Sequence, residues 1–190
     1  LKEYKLPVTV FTVSDLYNKA PEAFEMLSKE EDEVGFHSND HEVMTKFTLF
    51  ENFKRLQKSR LDIEQLYHKE VTGFRPPEER FNLETLNAVR QNKFSYIFAG
   101  QDYLRYSPIV LSESDLIFYP RVVRDDFAIS KNPLLSTAKK VSELMTEELK
   151  KVEMFGGAYF FSMHTHIFGE HEFYQEGMTK FYKHLVKQDV

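Results

Sequence analysis

The alternation of short apolar runs with longer amphipathic runs is the feature that most constrains the fold of this chain. Apolar runs rich in β-branched and aromatic residues are typical of buried strands, and apolar residues at helical spacing are typical of helices packed on a core. This alternation predicts an α/β fold with a parallel sheet, because parallel strands need long crossover connections. The predicted strands are residues 6–13, 33–36, 71–74, 95–99, 116–119 and 157–164. The predicted helices are residues 18–30, 48–70, 83–92, 136–154 and 172–187, and a turn at residues 59–61 could divide the second.

Composition and length favour one folded domain over residues 1–190. Of the 190 residues, 42% are apolar, and 18 Phe and 10 Tyr supply large side chains for a core, which argues against a disordered chain. The formal net charge of −5 argues against a protein that binds nucleic acid by neutralising phosphates. The chain has no Cys, so any metal ligands must be His, Asp or Glu side chains.

The sequence gives little direct evidence of where the protein works. No apolar run approaches the roughly 20 residues that a membrane span needs, so we expect no membrane span in this chain. No signal peptide is visible. Leu1 is not a start methionine, and we therefore expect the sequence to be a mature or cut fragment of a longer protein.

Side chains suited to catalysis stand where three of the predicted strands end. His37 and His41 directly follow the second predicted strand and are four residues apart. On one helical turn, residues at this spacing share a face, so both imidazoles could reach one metal ion and form half of a zinc site. Arg75 follows the third predicted strand, and His164 ends the sixth. In a barrel or an open doubly wound sheet, functional residues cluster at the carboxyl ends of strands, so this placement predicts a functional site there.

These residues, in this order, resemble the motifs of the polysaccharide deacetylases, the carbohydrate esterase family with a NodB homology domain. The segment His37-Ser38-Asn39-Asp40-His41 is a full match to the family's second motif, His-Ser/Thr-x-x-His. Arg75-Pro76-Pro77 matches the Arg-x-Pro of the third motif. Phe161-Ser162-Met163-His164 fits the last motif, with Phe in place of the usual Leu, and Asp125-Asp126 loosely resembles the fourth.

The resemblance implies a fold and a role for each of these residues. The fold would be a deformed (β/α) barrel of the polysaccharide deacetylase type. His37 and His41 would bind zinc, or another divalent metal such as cobalt or nickel. His164 would be the general acid, and Arg75 would orient the catalytic base. Asp126, or its neighbour Asp125, would in turn hold the arginine.

One part of the family pattern is missing from the sequence. The first motif is a pair of aspartates at the end of the first strand, and one supplies the catalytic base while the other supplies the third metal ligand. The chain begins after the point where this motif should fall, so the first strand is also missing. We expect both to lie upstream of Leu1 in the parent protein, because a barrel without its opening strand would leave exposed edges.

The implied activity is metal-dependent hydrolysis of acetyl groups on a cell-envelope polysaccharide. The most direct expectation is an N-deacetylase that acts on amide bonds, with an O-acetyl ester as a further option. The partner would be an acetylated polysaccharide and not a nucleic acid, and the location would be the cell envelope, either periplasmic or extracellular. Two alternatives stay open: a non-catalytic relative that binds glycan or serves as a scaffold, and a different metal-dependent hydrolase that uses the same histidine pair.

Each candidate residue also has a plain structural interpretation. His37 and His41 could be half-exposed surface histidines, and Arg75 could form an ion pair with Glu78 or Glu79. His166 competes with His164 for the acid role, because only one of two alternating rings can face a site. Asp125 and Asp126 could belong to a solvated turn, and His164 could be packed under a loop.

Overall fold

The computed structural model describes residues 2–29, 33–100, 106–111 and 115–187, and these fall into two compact units. The sheet unit comprises Pro7–Ala99 and Ile109–Tyr119. The helical unit comprises Leu1–Leu6, Gly100–Pro108 and Pro120–Val190. The single domain expected over residues 1–190 stays a prediction, and each unit is described by itself below.

The sheet unit is built on a six-stranded sheet in the order β1-β2-β3-β4-β6-β5. The pairs from β1 to β4 run parallel, and β5 runs antiparallel to β6 at one edge. In the part of the chain that the structure describes, β1 and β5 stay unpaired at the two edges, so the sheet is open. The strands are β1 (Thr9–Thr12), β2 (Glu33–Phe36), β3 (Gly73–Phe74), β4 (Tyr96–Ala99), β5 (Ile109–Val110) and β6 (Ile117–Pro120). The helices of this unit are α1 (Leu16–Lys19), α2 (Pro21–Lys29), α3 (Leu49–Tyr67) and α4 (Leu83–Gln91).

One face of the sheet forms the core of this unit. Phe36 and Phe74 lie side by side on neighbouring strands, with ring centroids 5.8 Å apart, and both are fully buried. Burying such a side chain contributes roughly 1.5–3 kcal/mol. The helices α3 and α4 supply apolar partners, among them Leu56 and Val89. Other members of this core are Val34, Met44, Ile63, Val71, Ala88, Phe94, Ile97 and Leu116.

On the opposite face, large aromatic rings cross over glycines. A Cβ on Gly73 would lie 2.2 Å from the Tyr96 hydroxyl, so Tyr96 can pass over β3 only because residue 73 is glycine. The Tyr96 hydroxyl then donates a 2.8 Å hydrogen bond to Glu33 on β2. The same carboxylate accepts hydrogen bonds from the hydroxyls of Thr9 and Thr72. Glu33 thereby ties together the amino ends of four neighbouring strands.

The helical unit is organised around two closely packed helices, α6 (Ala138–Phe155) and α8 (Glu172–Leu185). Gly177 allows their approach, because a Cβ at this position would lie 2.6 Å from the Cβ of Val141. The fully buried side chains Met145, Met178 and Phe181 fill the interface between these helices. The helices of this unit are α5 (Asp126–Ser130), α6 (Ala138–Phe155), α7 (Thr165–Glu170) and α8 (Glu172–Leu185). None of the helices in the described part of the chain is long and apolar enough to cross a membrane.

The structure differs from the sequence predictions in several local features. Residues 157–164 are an irregular segment and not a strand, because Gly156 and Gly157 have positive φ angles and the backbone of Gly157 closely approaches Tyr106. The long helix α3 is unbroken at residues 59–61, where Ser59 is buried in its packed face. The two-residue strand β5 and the short helices α5 and α7 were not predicted. In place of the single helix predicted over 18–30, the described residues form the two helices α1 (Leu16–Lys19) and α2 (Pro21–Lys29).

Candidate functional site

The two histidines of the sheet unit meet across a tight turn at the carboxyl end of β2. Their ring centroids are 4.9 Å apart, with an interplanar angle of 77°. The segment is not a helical turn, contrary to the spacing argument from the sequence, because Ser38 and His41 take left-handed backbone angles with φ of 67° and 68°. The rings are therefore adjacent, but the turn geometry and not helical periodicity makes them so.

The ring of His37 is oriented by the backbone that follows β3. Its Nδ1 lies 2.6 Å from the carbonyl oxygen of Arg75, and the Arg75 N–H donates a 2.9 Å hydrogen bond to the carbonyl of Phe36. A carbonyl oxygen can only accept, so Nδ1 carries the proton and Nε2 presents the lone pair. Metal-ligating histidines commonly donate their other ring N–H to such a carbonyl.

The residues at this turn fit half of a divalent metal site. Two adjacent imidazoles, one with its tautomer fixed by a carbonyl, suit zinc, cobalt or nickel. Among the described residues, no group of three or more His, Asp or Glu side chains is placed to hold a metal ion. Metal binding by His37 and His41 stays a prediction.

Two carboxyl groups next to this turn interact closely. The backbone N–H of Asp40 donates a 2.9 Å hydrogen bond to Glu42 Oε2. The pKa of the Asp40 carboxyl is raised by its side-chain hydrogen bond with Glu42 and by the charge of that residue. Burial raises the pKa of the Glu42 carboxyl, but hydrogen bonds with Asp40, with the Glu42 backbone and with Ser38 together lower it further, so the pKa lies below its ordinary value.

Arg75 is buried beneath the turn that follows β3. Its guanidinium lies 3.1 Å from the carboxylate of Glu79 and 5.8 Å from the ring centroid of Phe98. Glu79 reaches it because Glu78 and Glu79 both have positive φ angles, which fold the chain back after Pro77. The ion pair weighed from the sequence is thus present, although it is buried and not at the surface. The role of Arg75 in orienting a catalytic base stays a prediction.

In the helical unit, Asp126 holds the ring of His164. Nδ1 of His164 lies 2.6 Å from Asp126 Oδ1, and the His164 backbone N–H donates to Asp126 Oδ2. Asp126 is fully buried at the start of α5, whereas the side chain of His164 is 32% exposed where α7 begins. The family resemblance implied that Asp126 or Asp125 would hold Arg75. Among the described contacts, Asp126 accepts hydrogen bonds from His164 and from the backbone N–H of Phe127.

Asp125 and His166 lie beside the Asp126–His164 pair but make different contacts. Asp125 caps α5 by accepting a 2.8 Å hydrogen bond from Ala128, and it lies 3.9 Å from Arg121. His166 is exposed, and its ring centroid is 5.6 Å from that of His164. Among the contacts that the structure describes, His166 has no carboxylate partner. His164 therefore differs from His166 in being oriented by a buried carboxylate, and its role as the general acid stays a prediction.

Comparison with known protein families bears directly on this arrangement. The family model described as polysaccharide deacetylase matches residues 1–97, about half of the chain, including both histidines of the turn and Arg75. The chain belongs to the polysaccharide deacetylase family. The family model thus confirms the family that the sequence motifs suggested. No curated protein sequence matches the chain.

Solved structures confirm the predicted fold class. A Mycobacterium smegmatis protein assigned to the polysaccharide deacetylases has a TM-score of 0.82 at 21% identity, over 100% of this chain and 68% of its own. PuuE allantoinase has a TM-score of 0.83 at 12% identity, over 99% and 64%. BA3943 of Bacillus anthracis, described as a pseudoenzyme, has a TM-score of 0.61 at 19% identity, over 97% and 53%. The fold is thus the α/β fold of the deacetylases, with an open sheet consistent with a deformed barrel, and this chain spans about half to two thirds of these proteins.

Proposed function

We propose that the chain is part of a metal-dependent hydrolase that removes acetyl groups, N-acetyl groups first among them, from a polysaccharide of the cell envelope. The observation that carries the proposal is the His164–Asp126 pair, in which a fully buried carboxylate fixes the ring of a partly exposed histidine at 2.6 Å. A buried carboxylate on a histidine is the arrangement of a proton-transferring ring. Membership of the deacetylase family supplies the reaction class.

His37 and His41 would hold the metal in this proposal. The Arg75 carbonyl keeps the proton of His37 on Nδ1, so that Nε2 is the ligand nitrogen. A bound zinc, cobalt or nickel ion would supply Lewis-acid polarisation of the acetyl carbonyl and would lower the pKa of a water molecule. The third ligand and the base that accepts the proton of the water would be aspartates outside the described residues.

His164 would deliver a proton to the leaving nitrogen. Asp126 accepts the hydrogen on Nδ1, so Nε2 is the atom from which the proton would be transferred. The second Asp126 oxygen accepts from the His164 backbone N–H, which fixes the main chain as well as the ring. Arg75, held by Glu79 in this structure, would orient the base aspartate.

The substrate class sets the proposed location. Acetylated envelope polysaccharides, such as peptidoglycan or poly-N-acetylglucosamine, are reached from the periplasm or from outside the cell. We therefore place the protein at the cell envelope, periplasmic or extracellular. The N-acetyl amide is preferred to an O-acetyl ester because a general acid such as His164 is most needed by an amine leaving group.

Acetate release tests this function directly. The full-length protein, loaded with zinc or cobalt, should release acetate from acetylated glycans such as peptidoglycan fragments or N-acetylglucosamine oligomers. Removal of the metal by a chelator should abolish release, and re-addition should restore it. Tight glycan binding without any acetate release from these substrates would contradict the proposal.

A non-catalytic glycan-binding or scaffolding domain is the second candidate. One finding favours it, namely that a protein described as a pseudoenzyme shares this fold, and a mutant of that protein is described as having restored enzymatic activity. The two candidates differ in their response to metal. The binding module predicts glycan affinity that does not change when metal is removed, whereas the enzyme predicts a metal-dependent reaction.

A further inference from the structure

The turn that brings His37 and His41 together needs external support. Ser38 and His41 both have positive φ angles, a conformation that costs non-glycine residues of order 1 kcal/mol or more. Such a turn persists only where surrounding contacts hold it. Backbone hydrogen bonds support the amino side of the turn, whereas the side chain of Glu42 supports its carboxyl side.

The amino side of the turn is held mainly by main-chain hydrogen bonds to the segment after β1. Ser14 N–H donates to the carbonyl of Ser38 at 3.1 Å, and Asp15 N–H donates to the carbonyl of Asn39 at 2.9 Å. The Ser14 hydroxyl adds a 2.8 Å hydrogen bond to Asn39 Oδ1. Most of these contacts come from the backbone, so substitution of side chains would change them little.

Among the described contacts, the side chain of Glu42 holds the carboxyl side of the turn. Its Oε2 accepts the 2.9 Å hydrogen bond from the backbone N–H of Asp40, and its Oε1 lies 3.6 Å from the guanidinium of Arg55. The Glu42 side chain is 13% exposed and that of Arg55 is 44% exposed, so the carboxylate end of this ion pair is mostly buried whereas the guanidinium end is open to solvent. Glu42 therefore links the turn, one residue on either side of His41, to helix α3.

Helix α3 offers a rigid base for this link. The Arg55 guanidinium also lies 4.0 Å from the ring centroid of Phe47, which limits its movement. One turn earlier, the side-chain amide of Asn52 donates to the carbonyls of Met44 and Phe47. The side chains of Asn52 and Arg55 thus attach the segment from Glu42 to Phe47 to the first half of α3.

We propose that Glu42 is a positioning residue for the metal ligands, which holds His41 against His37 by joining the turn to Arg55. This inference rests on the proposed metal-binding function. A glutamate suits the task because one oxygen can accept from Asp40 N–H while the other faces Arg55. Glutamine keeps an oxygen for the backbone but loses the ion pair, and alanine loses both.

Helix α3 contains a matched control for this residue. Glu64 is also mostly buried, with 22% of its side chain exposed, and it pairs with Arg60 at 2.7 Å. It likewise accepts a backbone hydrogen bond, from Val71 at 2.9 Å. Glu64 has the same kinds of contact as Glu42 but lies in another part of the unit, so Glu64→Gln reports what such a loss costs the fold alone.

The test measures metal affinity and stability together in the full-length protein. Cobalt and zinc affinity, the visible spectrum of bound cobalt and thermal unfolding are compared for wild type, Glu42→Gln, Glu42→Ala and Glu64→Gln. We expect Glu42→Ala to weaken metal affinity by about 10- to 100-fold and to alter the cobalt spectrum, as loss of a supporting group does. Glu42→Gln should have a smaller effect. Glu64→Gln should lower the unfolding temperature with metal affinity unchanged.

The outcomes separate this inference from the proposed function. Wild-type metal affinity in both Glu42 variants, with a lowered unfolding temperature as in Glu64→Gln, would overturn the positioning role and leave the metal site intact. Absence of metal binding by the wild-type protein would overturn the metal site and the inference with it. If Glu42→Ala does not fold, Glu42→Gln and Arg55→Gln carry the same comparison.

Discussion

At the scale of single residues, the two best-placed histidines differ in what holds Nδ1. A neutral backbone carbonyl orients His37, at the end of β2. A fully buried carboxylate orients His164, at the start of α7. A carbonyl suits a neutral imidazole that donates a lone pair to a metal, whereas a carboxylate also suits a ring that carries a second proton for part of a reaction cycle. The chemistry of the two holders thus agrees with the roles proposed for the two rings.

Replacement of His164 tests the acid role. His164→Ala should lower kcat for acetate release by about 10²–10⁴-fold, the effect of losing a general acid. Metal content should stay unchanged, because the proposed metal ligands are His37 and His41. The control is His166→Ala, which removes the neighbouring exposed ring and should change kcat little. A large loss in His166→Ala together with a small loss in His164→Ala would reverse the assignment.

Replacement of Asp126 tests whether the buried carboxylate acts through His164. Asp126→Asn should lower kcat by about 10²–10⁴-fold, because an amide can favour the wrong tautomer of the ring. It should also shift the pH profile of kcat, which a purely structural residue would not do. Thermal unfolding of the same variant reports the structural cost. A normal kcat with an unchanged pH profile would show that His164 works without its carboxylate.

At the scale of secondary structure, the Glu33 side chain connects four neighbouring strands by hydrogen bonds. The hydrogen bond from Tyr96 on β4 reaches Glu33 on β2 only because the intervening residue on β3 is Gly73. Gly73→Ala should destabilise the protein by about 1–3 kcal/mol, because the new Cβ would displace the Tyr96 ring from its path to Glu33. Tyr96→Phe removes only the hydroxyl and should cost about 1 kcal/mol. Urea unfolding measures both. A smaller loss for Gly73→Ala than for Tyr96→Phe would contradict the crossing of the ring over β3.

The start of helix α3 gives a prediction about pH. The pKa of Glu51 is lowered from its ordinary value of 4.5, because the backbone N–H and the hydroxyl of Thr48 donate hydrogen bonds to its carboxylate. A group with a lowered folded pKa stabilises the fold above its unfolded pKa, and this contribution is lost as the pH falls through the folded pKa. The stability difference between wild type and Glu51→Gln should therefore shrink below pH 4.5. A stability difference that grows as the pH falls would contradict the stabilising role of the hydrogen bonds between Thr48 and the Glu51 carboxylate.

Much of the element pattern could be predicted from the sequence, and the failures have a common cause. The periodic segments behind α3, α4, α6 and α8 were located to within a few residues, because their buried faces recur at helical spacing. The spacing argument for His37 and His41 assumed helical geometry. In the structure, the turn between them contains left-handed residues and is held by backbone contacts from Ser14 and Asp15, which are distant in sequence. Periodicity carries no information about such contacts.

The residues of the candidate site could be predicted from the sequence, but the contacts between them could not. His37, Arg75 and His164 were found because motifs and strand ends mark them. The pairing of Asp126 with His164 was missed, because the two residues are separated by a long helix in the sequence and the carboxylate's partner depends on how α5 and α7 pack. Glu42 could not be predicted, because nothing in the local sequence distinguishes it from a surface glutamate.

At the scale of the whole molecule, the chain is a member of the polysaccharide deacetylase family that spans 68% and 64% of two similar solved structures. Its sheet unit carries the proposed metal ligands, and its helical unit carries the proposed acid and the carboxylate that holds it. The account therefore makes separable demands on the two units. Metal binding should depend on the turn after β2, and proton transfer should depend on the start of α7.

Metal stoichiometry of the full-length protein, purified without chelator and measured by elemental analysis, tests the central claim most directly. The account predicts about one zinc or similar divalent ion per chain, lost in the double variant His37→Ala/His41→Ala while its circular dichroism and thermal unfolding remain close to wild type. No bound metal after addition of zinc and buffer exchange, or equal metal in wild type and the double variant, would contradict it.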